Sequence, residues 1–247
     1  MGAALIAAGV AVAVGAVLQS ATGFGFALVA APLLFPALGP QEAIGTLLVL
    51  ASVGSLLILA SERRRPRPLG RDAAAIIAAS LPGAIAGVVV LRSLNEVTLQ
   101  YAVTISVIVA LLVRWKAPRA LNTGTRWWSA PATGVVAGAL TTSTNASGPP
   151  LLLHLTGRGT EPARVRDTIN VCYLGLSAVS AGALWITHTS GALPNPAVLA
   201  ALVPLVVLGN LAGRPIFSRI ARGRVYEPVL TGTLVVAVLA GLATAIV

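Results

Sequence analysis

The chain is poor in almost everything a water-soluble globule places on its surface. Charged residues fill only 10% of its 247 positions, acidic residues number 7, and Cys172 is its one cysteine. A single cysteine excludes an internal disulfide and any thiolate metal cluster, and it leaves the redox compartment unread. The carboxylates Glu42, Glu62, Asp72, Glu96, Glu161, Asp167 and Glu227 fall at the ends of apolar runs or in the connections between them. No carboxylate relay is therefore expected through the apolar interior, where a buried ionisable group usually marks function. No metal, cofactor or catalytic residue is expected.

Hydrocarbon takes the place of charge. Hydrophobic residues make up 56% of the sequence and the mean hydropathy is +0.89, a balance that makes lipid the solvent. The first apolar run begins without Lys or Arg and flows into the pattern described next, so no cleavable signal is expected. A net charge of +10 would suggest nucleic acid in a soluble chain. Here the basic residues sit in short connections, with no stripe or aromatic platform beside them, so nucleic acid is not an expected partner.

The sequence repeats a broken hydrophobic helix. Gly15-Ala-Val-Leu-Gln-Ser-Ala-Thr-Gly-Phe-Gly25 is answered by Gly138-Ala-Leu-Thr-Thr-Ser-Thr-Asn-Ala-Ser-Gly148, and later landmarks keep step: Pro40 with Pro162, Thr46 with Thr168, Pro82 with Pro204, Gly87 with Gly209, Arg92 with Arg214. Interrupted hydrophobic segments at matched places in two halves point to a transporter's binding site. The expected fold is an all-α polytopic membrane protein of two inverted repeats, residues 1–120 and 121–247. Each repeat is a broken or re-entrant helical hairpin followed by three transmembrane helices.

Six runs approach the roughly 20 residues a crossing needs: Gln41 to Ala60, Ala73 to Leu91, Thr98 to Val113, Thr168 to Ile186, Ala197 to Ala212 and Val229 to Val247. Two more regions, Gly2 to Leu38 and Ser129 to Thr156, are interrupted midway. Basic clusters orient them, because short cytoplasmic loops collect Lys and Arg. Arg63, Arg64, Arg65, Arg67 and Arg71 form one cluster, and Arg114, Lys116, Arg119 and Arg126 a second. Arg158, Arg164 and Arg166 form a third, and Arg214, Arg219, Arg222 and Arg224 a fourth. If the second interrupted region is a hairpin, all four face the cytoplasm and only Arg92 lies outside. By the repeat, the first interrupted region is a hairpin from the opposite face, although a full span there satisfies the same charges.

At the first break stand Gln19, Ser20 and Thr22, with Gly23 and Gly25 to make the turn. At the second stand Thr141, Thr142, Ser143, Thr144, Asn145 and Ser147, with Gly148 as the flexible point and Pro149 and Pro150 opening the returning helix. A helix amino terminus carries roughly half a positive charge, and hydroxyls and amides add directed donors, a combination suited to a small oxyanion. The plainer alternative is that these Ser and Thr residues bond their own helix backbone. His154 is the candidate for proton coupling, with an interfacial side chain as its alternative. Arg92 and Arg214 are candidates for drawing anions toward opposite entrances, with snorkelling at helix ends as theirs. Gly83 and Gly87, Gly134 and Gly138, and Gly209 and Gly213 have the spacing of closely packed helices.

Gln19-Ser-Ala-Thr-Gly-Phe-Gly-Phe with Pro32-Leu-Leu, and later Ser147-Gly-Pro-Pro-Leu-Leu, resemble the duplicated signatures of TauE/SafE-type sulfite exporters over essentially the whole chain. Here Phe24 and Phe26 interrupt the denser glycine run of many such proteins. The resemblance implies a bacterial or archaeal inner-membrane permease for sulfite, sulfonate or a related small anion, driven by an ion gradient, with H+ as the candidate ion. Oligomeric state stays open, a dimer included. The rival readings are an intramembrane enzyme acting on a lipid phosphate and a non-transporting membrane scaffold. The first wants a carboxylate or histidine base and an arginine clamp, and neither break contains Asp, Glu or Arg.

Overall fold

Proline and glycine punctuate long apolar runs, and helices begin and end where they fall. A computed structural model describes residues 2–61, 65–95, 128–156, 160–189 and 191–222, together with 98, 101, 105 and 232. The helices named among them are α1 (Gly2–Thr22), α2 (Phe26–Leu38), α3 (Pro40–Ser61), α4 (Gly70–Ser93), α5 (Ser129–Thr144), α6 (Gly148–Thr156), α7 (Pro162–Ile186) and α8 (Pro196–Arg222). Pro40, Pro162 and Pro196 each open a helix, where the missing N–H costs nothing and φ is already set. No strand occurs among the described residues. Four helices, α3, α4, α7 and α8, are long and apolar enough to cross a membrane. The spans expected over Thr98 to Val113 and Val229 to Val247 fall outside the described residues, apart from residues 98, 101, 105 and 232.

Two expected boundaries need correction. α7 starts at Pro162 rather than Thr168, and α8 runs on to Arg222 rather than stopping at Ala212. Arg is a good helix former, so a basic stretch beside a proline continues a helix as readily as it makes a loop. As a result Arg164, Arg166 and Asp167 are helical, and Arg166 and Asp167 are buried at 2% and 1% exposure.

Buried side chains separate into two apolar clusters with a polar belt between them. Along α4, Ala73 and Ile76 belong to one cluster, Ala84, Val88 and Leu91 to the other, and buried Ser80 lies between. On α7 the same order runs from Ile169 and Leu176 through Ser177 and Ser180 to Ala183 and Leu184. α8 runs the other way, from Leu202 and Val206 past Asn210 to Phe217. The hairpins follow from the same clusters. α1 leaves the cluster of Val88 and Leu91 at Ala8 and Val12 and α2 returns to it at Leu34 and Phe35, while α5 leaves the cluster of Ala73 and Ile76 at Ala130 and α6 returns to it at Leu151 and Leu155. α2 doubles back along α1, since a Cβ built on Gly15 would lie 2.8 Å from the Phe26 carbonyl oxygen.

The most extensive contacts join α4 to α5 and α1 to α8. Both seams have backbone against backbone at the glycines. A Cβ on Gly83 would stand 1.9 Å from the Val135 carbonyl oxygen, and one on Gly209 would stand 2.5 Å from that of Ala13. The close packing read from the glycine spacing is thus present. Ile6, Val10 and Val14 on α1, and Leu81, Ile85 and Val89 on α4, form exposed apolar stripes at helical spacing, as surfaces turned to lipid do.

The start of α7 also fixes the segment before α4. Asp167 Oδ2 accepts from the Arg67 N–H at 2.8 Å, and Thr168 Oγ1 accepts from the Leu69 N–H at 2.9 Å while donating to the Arg164 carbonyl at 2.6 Å. Thr168→Val keeps the shape and removes the acceptor. It is expected to cost about 1–2 kcal/mol, read as a lower melting temperature of the detergent-solubilised protein.

Candidate functional site

The first break follows from two glycines in left-handed backbone. Gly23 has φ 91° and Gly25 φ 101°, angles that a side chain makes costly. Gly23 N–H closes α1 onto the Gln19 carbonyl at 2.7 Å. The Thr22 hydroxyl lies 2.8 Å from the Leu18 carbonyl and 2.9 Å from that of Phe24. With one proton it serves one of them at a time. Gln19 Nε2 donates to Ser55 Oγ at 3.1 Å, and Ser20 Oγ donates to the Asn210 carbonyl at 2.9 Å. Asn210 in turn reaches the Gly54 carbonyl through Nδ2 at 3.4 Å and accepts from Arg214 Nε at 3.3 Å. The side-chain donors of the first break are therefore engaged with the protein.

At the second break the hydroxyls divide. Thr141, Thr142, Ser143 and Thr144 donate to the carbonyls of Ala137, Gly138, Ala139 and Leu140 at 2.7–3.0 Å, and Thr142 also meets Ser180 Oγ at 2.8 Å. For these four the plainer helix-bonding alternative describes the geometry. Asn145 ends α5 in left-handed backbone at φ 55°, its N–H on the Thr141 carbonyl at 3.1 Å. Its side-chain Nδ2 and the Ser147 hydroxyl are buried, and neither atom has a hydrogen-bond partner. α6 then begins at Gly148, and because Pro149 and Pro150 lack N–H groups its first turn offers few backbone donors.

The breaks meet. A Cβ on Gly148 would lie 3.2 Å from Phe24 Cδ2 and 2.7 Å from the Tyr173 hydroxyl, so the phenylalanine that interrupts the first glycine run packs on the glycine of the second. Gln19, Phe26, Ala27, Ala51, Asn145 and Tyr173 line one cavity of about 10 Å³. The first N–H groups of a helix have no partner within it, and Phe26 and Ala27 open α2. Gln19 and Asn145 are thus brought to one cavity, with Ser147 and Gly148 beside it in the chain, whereas Ser20 and Thr22 turn to other partners.

Sequence reasoning missed Arg166. Read as part of a cytoplasmic loop cluster, it lies instead against the first break, with Nη2 donating to the Ser20 carbonyl at 2.6 Å. Its Cγ would be 2.9 Å from a Cβ on Gly23, and its guanidinium carbon stands 3.9 Å from the centroid of the Phe217 ring. An arginine does reach a break, although neither break contains one. The repeat itself carried the signal: Pro40 opens α3, so its match Pro162 marks the start of α7.

His154 is buried at 5% exposure on the last turn of α6. Arg92 is exposed at the end of α4, where Nη2 donates to the Thr187 carbonyl that ends α7. A larger cavity of about 540 Å³ lies between α3, the end of α7 and residues 188, 189 and 192–194, lined by Leu48, Leu184, Trp185 and Leu193 among others. It contains none of the expected site residues. No group of three or more His, Cys, Asp or Glu residues able to hold a metal occurs among the described residues.

Comparison with curated proteins and with solved structures returned no match. A family model described as "Sulfite exporter TauE/SafE" matches residues 7–241. That is nearly the full sequence, both breaks included, so with four apolar spans among the described residues the chain is a multi-pass membrane protein and belongs to the TauE/SafE sulfite exporter family of membrane transporters.

Proposed function

We propose that this protein is an inner-membrane secondary transporter, working as an exporter, for sulfite, sulfonate or a related small anion bound between the two broken helices near the membrane midplane. The observation that carries the reading is the pair of unengaged buried donors, Asn145 Nδ2 and Ser147 Oγ, at a break that faces another break. Leaving such groups unpaired costs about 1–3 kcal/mol each, a cost that an anion's oxygens remove. Gln19 supplies a third donor if its amide turns over. Oε1, which has no partner, then accepts from Ser55 and Nε2 is released from it. The amino terminus of α2 adds positive potential.

Depth and symmetry support the same reading. Buried Ser80 and Asn210 lie near the middle of α4 and α8, and Ser177 and Ser180 lie in the second half of α7, which supports a polar belt at depth. The matched helices α4 and α8 traverse the two clusters in opposite senses, and the hairpins come from opposite clusters. This supports inverted halves over residues 1–120 and 121–247. In this reading His154 carries the coupling proton and Arg92 adds positive potential at one mouth, whereas Arg214 lies within α8 one turn from the belt, with Nε donating to Asn210 Oδ1. A cavity of about 10 Å³ holds one water at most, so sulfite enters only when the breaks part.

Purified protein in liposomes tests the proposal. Saturable flux of sulfite or methanesulfonate, absent from protein-free vesicles, is the expected result. Chemical turnover of a lipid phosphate without anion flux would replace transport with the enzyme reading.

A further inference from the structure

Arg166 occupies the second turn of α7, and three of its contacts tie it to the first break or its surroundings. Its stem covers Gly23, its Nη2 holds the Ser20 carbonyl, and its guanidinium lies over Phe217. Successive helix positions point about 100° apart, which is why Asp167 bonds the Arg67 N–H while Arg166 turns to the break. A guanidinium stays protonated in a protein. The carbonyl end of α1 and the face of a phenyl ring both stabilise that charge. It is therefore a fixed positive charge bonded to the residue next to Gln19, which lines the cavity. Opening a helix at this place does not itself require an arginine, because the matched position in the first half is Ile44, fully buried hydrocarbon.

We propose that Arg166 is a specificity-determining residue, whose buried charge makes the site discriminate among anions by valence. The inference rests on the transport reading. Coulomb energy scales with ligand charge, so losing this charge weakens a divalent anion by the square of the factor lost for a monovalent one of similar shape. A packing role gives no such relation.

The experiment measures apparent KM in proteoliposomes for sulfite at alkaline pH, where it is doubly charged, and for methanesulfonate, which is singly charged. Arg166→Gln is expected to raise KM by about tenfold for sulfite and about threefold for methanesulfonate, following that square relation. Arg166→Lys, which keeps the charge, should restore the wild-type ratio between the two. If Arg166→Gln does not accumulate, Phe217→Glu neutralises the guanidinium across the ring contact and should show the same loss of valence preference. Equal losses on both anions in the Gln and Lys variants, or a wild-type ratio in every neutralised variant, overturns the proposal while leaving transport intact. Absence of flux from the wild-type protein retires the transport reading, and this inference with it.

Discussion

Gly138→Leu is expected to leave no folded protein in the membrane. A Cβ on Gly138 would stand 2.2 Å from the Ser80 carbonyl oxygen, and one on Gly134 would stand 2.3 Å from that of Ile76. From the other side of the seam, Gly87 would come within 2.5 Å of the Ala139 carbonyl oxygen. The obstacles are main-chain atoms, which cannot swing away as a side chain can, so the helices must separate. Even Gly138→Ala is expected to cost about 1–3 kcal/mol, the usual range for overpacking. Gly182 has nothing within 4 Å of its Cβ position. Gly182→Ala therefore serves as the control and should hold or raise stability, since alanine is the better helix former. The amount of protein recovered from the membrane checks Gly138→Leu, and thermal denaturation of the solubilised protein checks the two alanine variants. Wild-type stability in Gly138→Ala would show that the seam tolerates a wider separation.

Asn145→Gly is expected to keep the fold and lose the anion. Asn145 adopts φ 55°, a conformation glycine takes at least as easily, so the substitution removes the side-chain donor with little backbone strain. A hydrogen bond to a charged group contributes about 1.5–3 kcal/mol, equivalent to roughly 10- to 150-fold in affinity. Apparent affinity for sulfite should fall by that factor while the melting temperature stays near the wild-type value. Ser147→Ala should act in the same direction. Ser20→Ala should differ, because the Ser20 hydroxyl is already bonded to the Asn210 carbonyl and its loss falls on α1–α8 packing. Unchanged transport in Asn145→Gly, Ser147→Ala and their combination would remove the second break from the site.

The first break was legible because Gly23 and Gly25 interrupt a run that hydrophobic periodicity would otherwise continue. The second was legible in place but not in residue, since the left-handed turn falls at Asn145 and Gly148, expected as the flexible point, already opens α6. The seams were legible from glycine spacing for a similar reason, since only a missing side chain permits that approach. Which hydroxyls remain free was not. Thr141 through Thr144 and Ser147 are of the same chemical kind in the sequence. Four bond back to the preceding turn, while Ser147 lies beyond the end of α5 and has no preceding turn to use. Arg166 was hidden by its neighbours. Arg158, Arg164 and Arg166 look alike as a charge cluster, and only the helical phase set from Pro162 turns Arg166 inward.

The two glycine seams have a mechanical consequence. α4 and α5 come from different halves of the chain, as do α1 and α8, and each pair is joined at main-chain contact distance. Sliding within a pair would drive carbonyls into Cα atoms, so each pair travels as one piece. The units that shift during a transport cycle are then composite, each carrying one hairpin arm from its own half and one spanning helix borrowed from the other. A rocking motion of amino-terminal half against carboxy-terminal half would have to tear both seams at once.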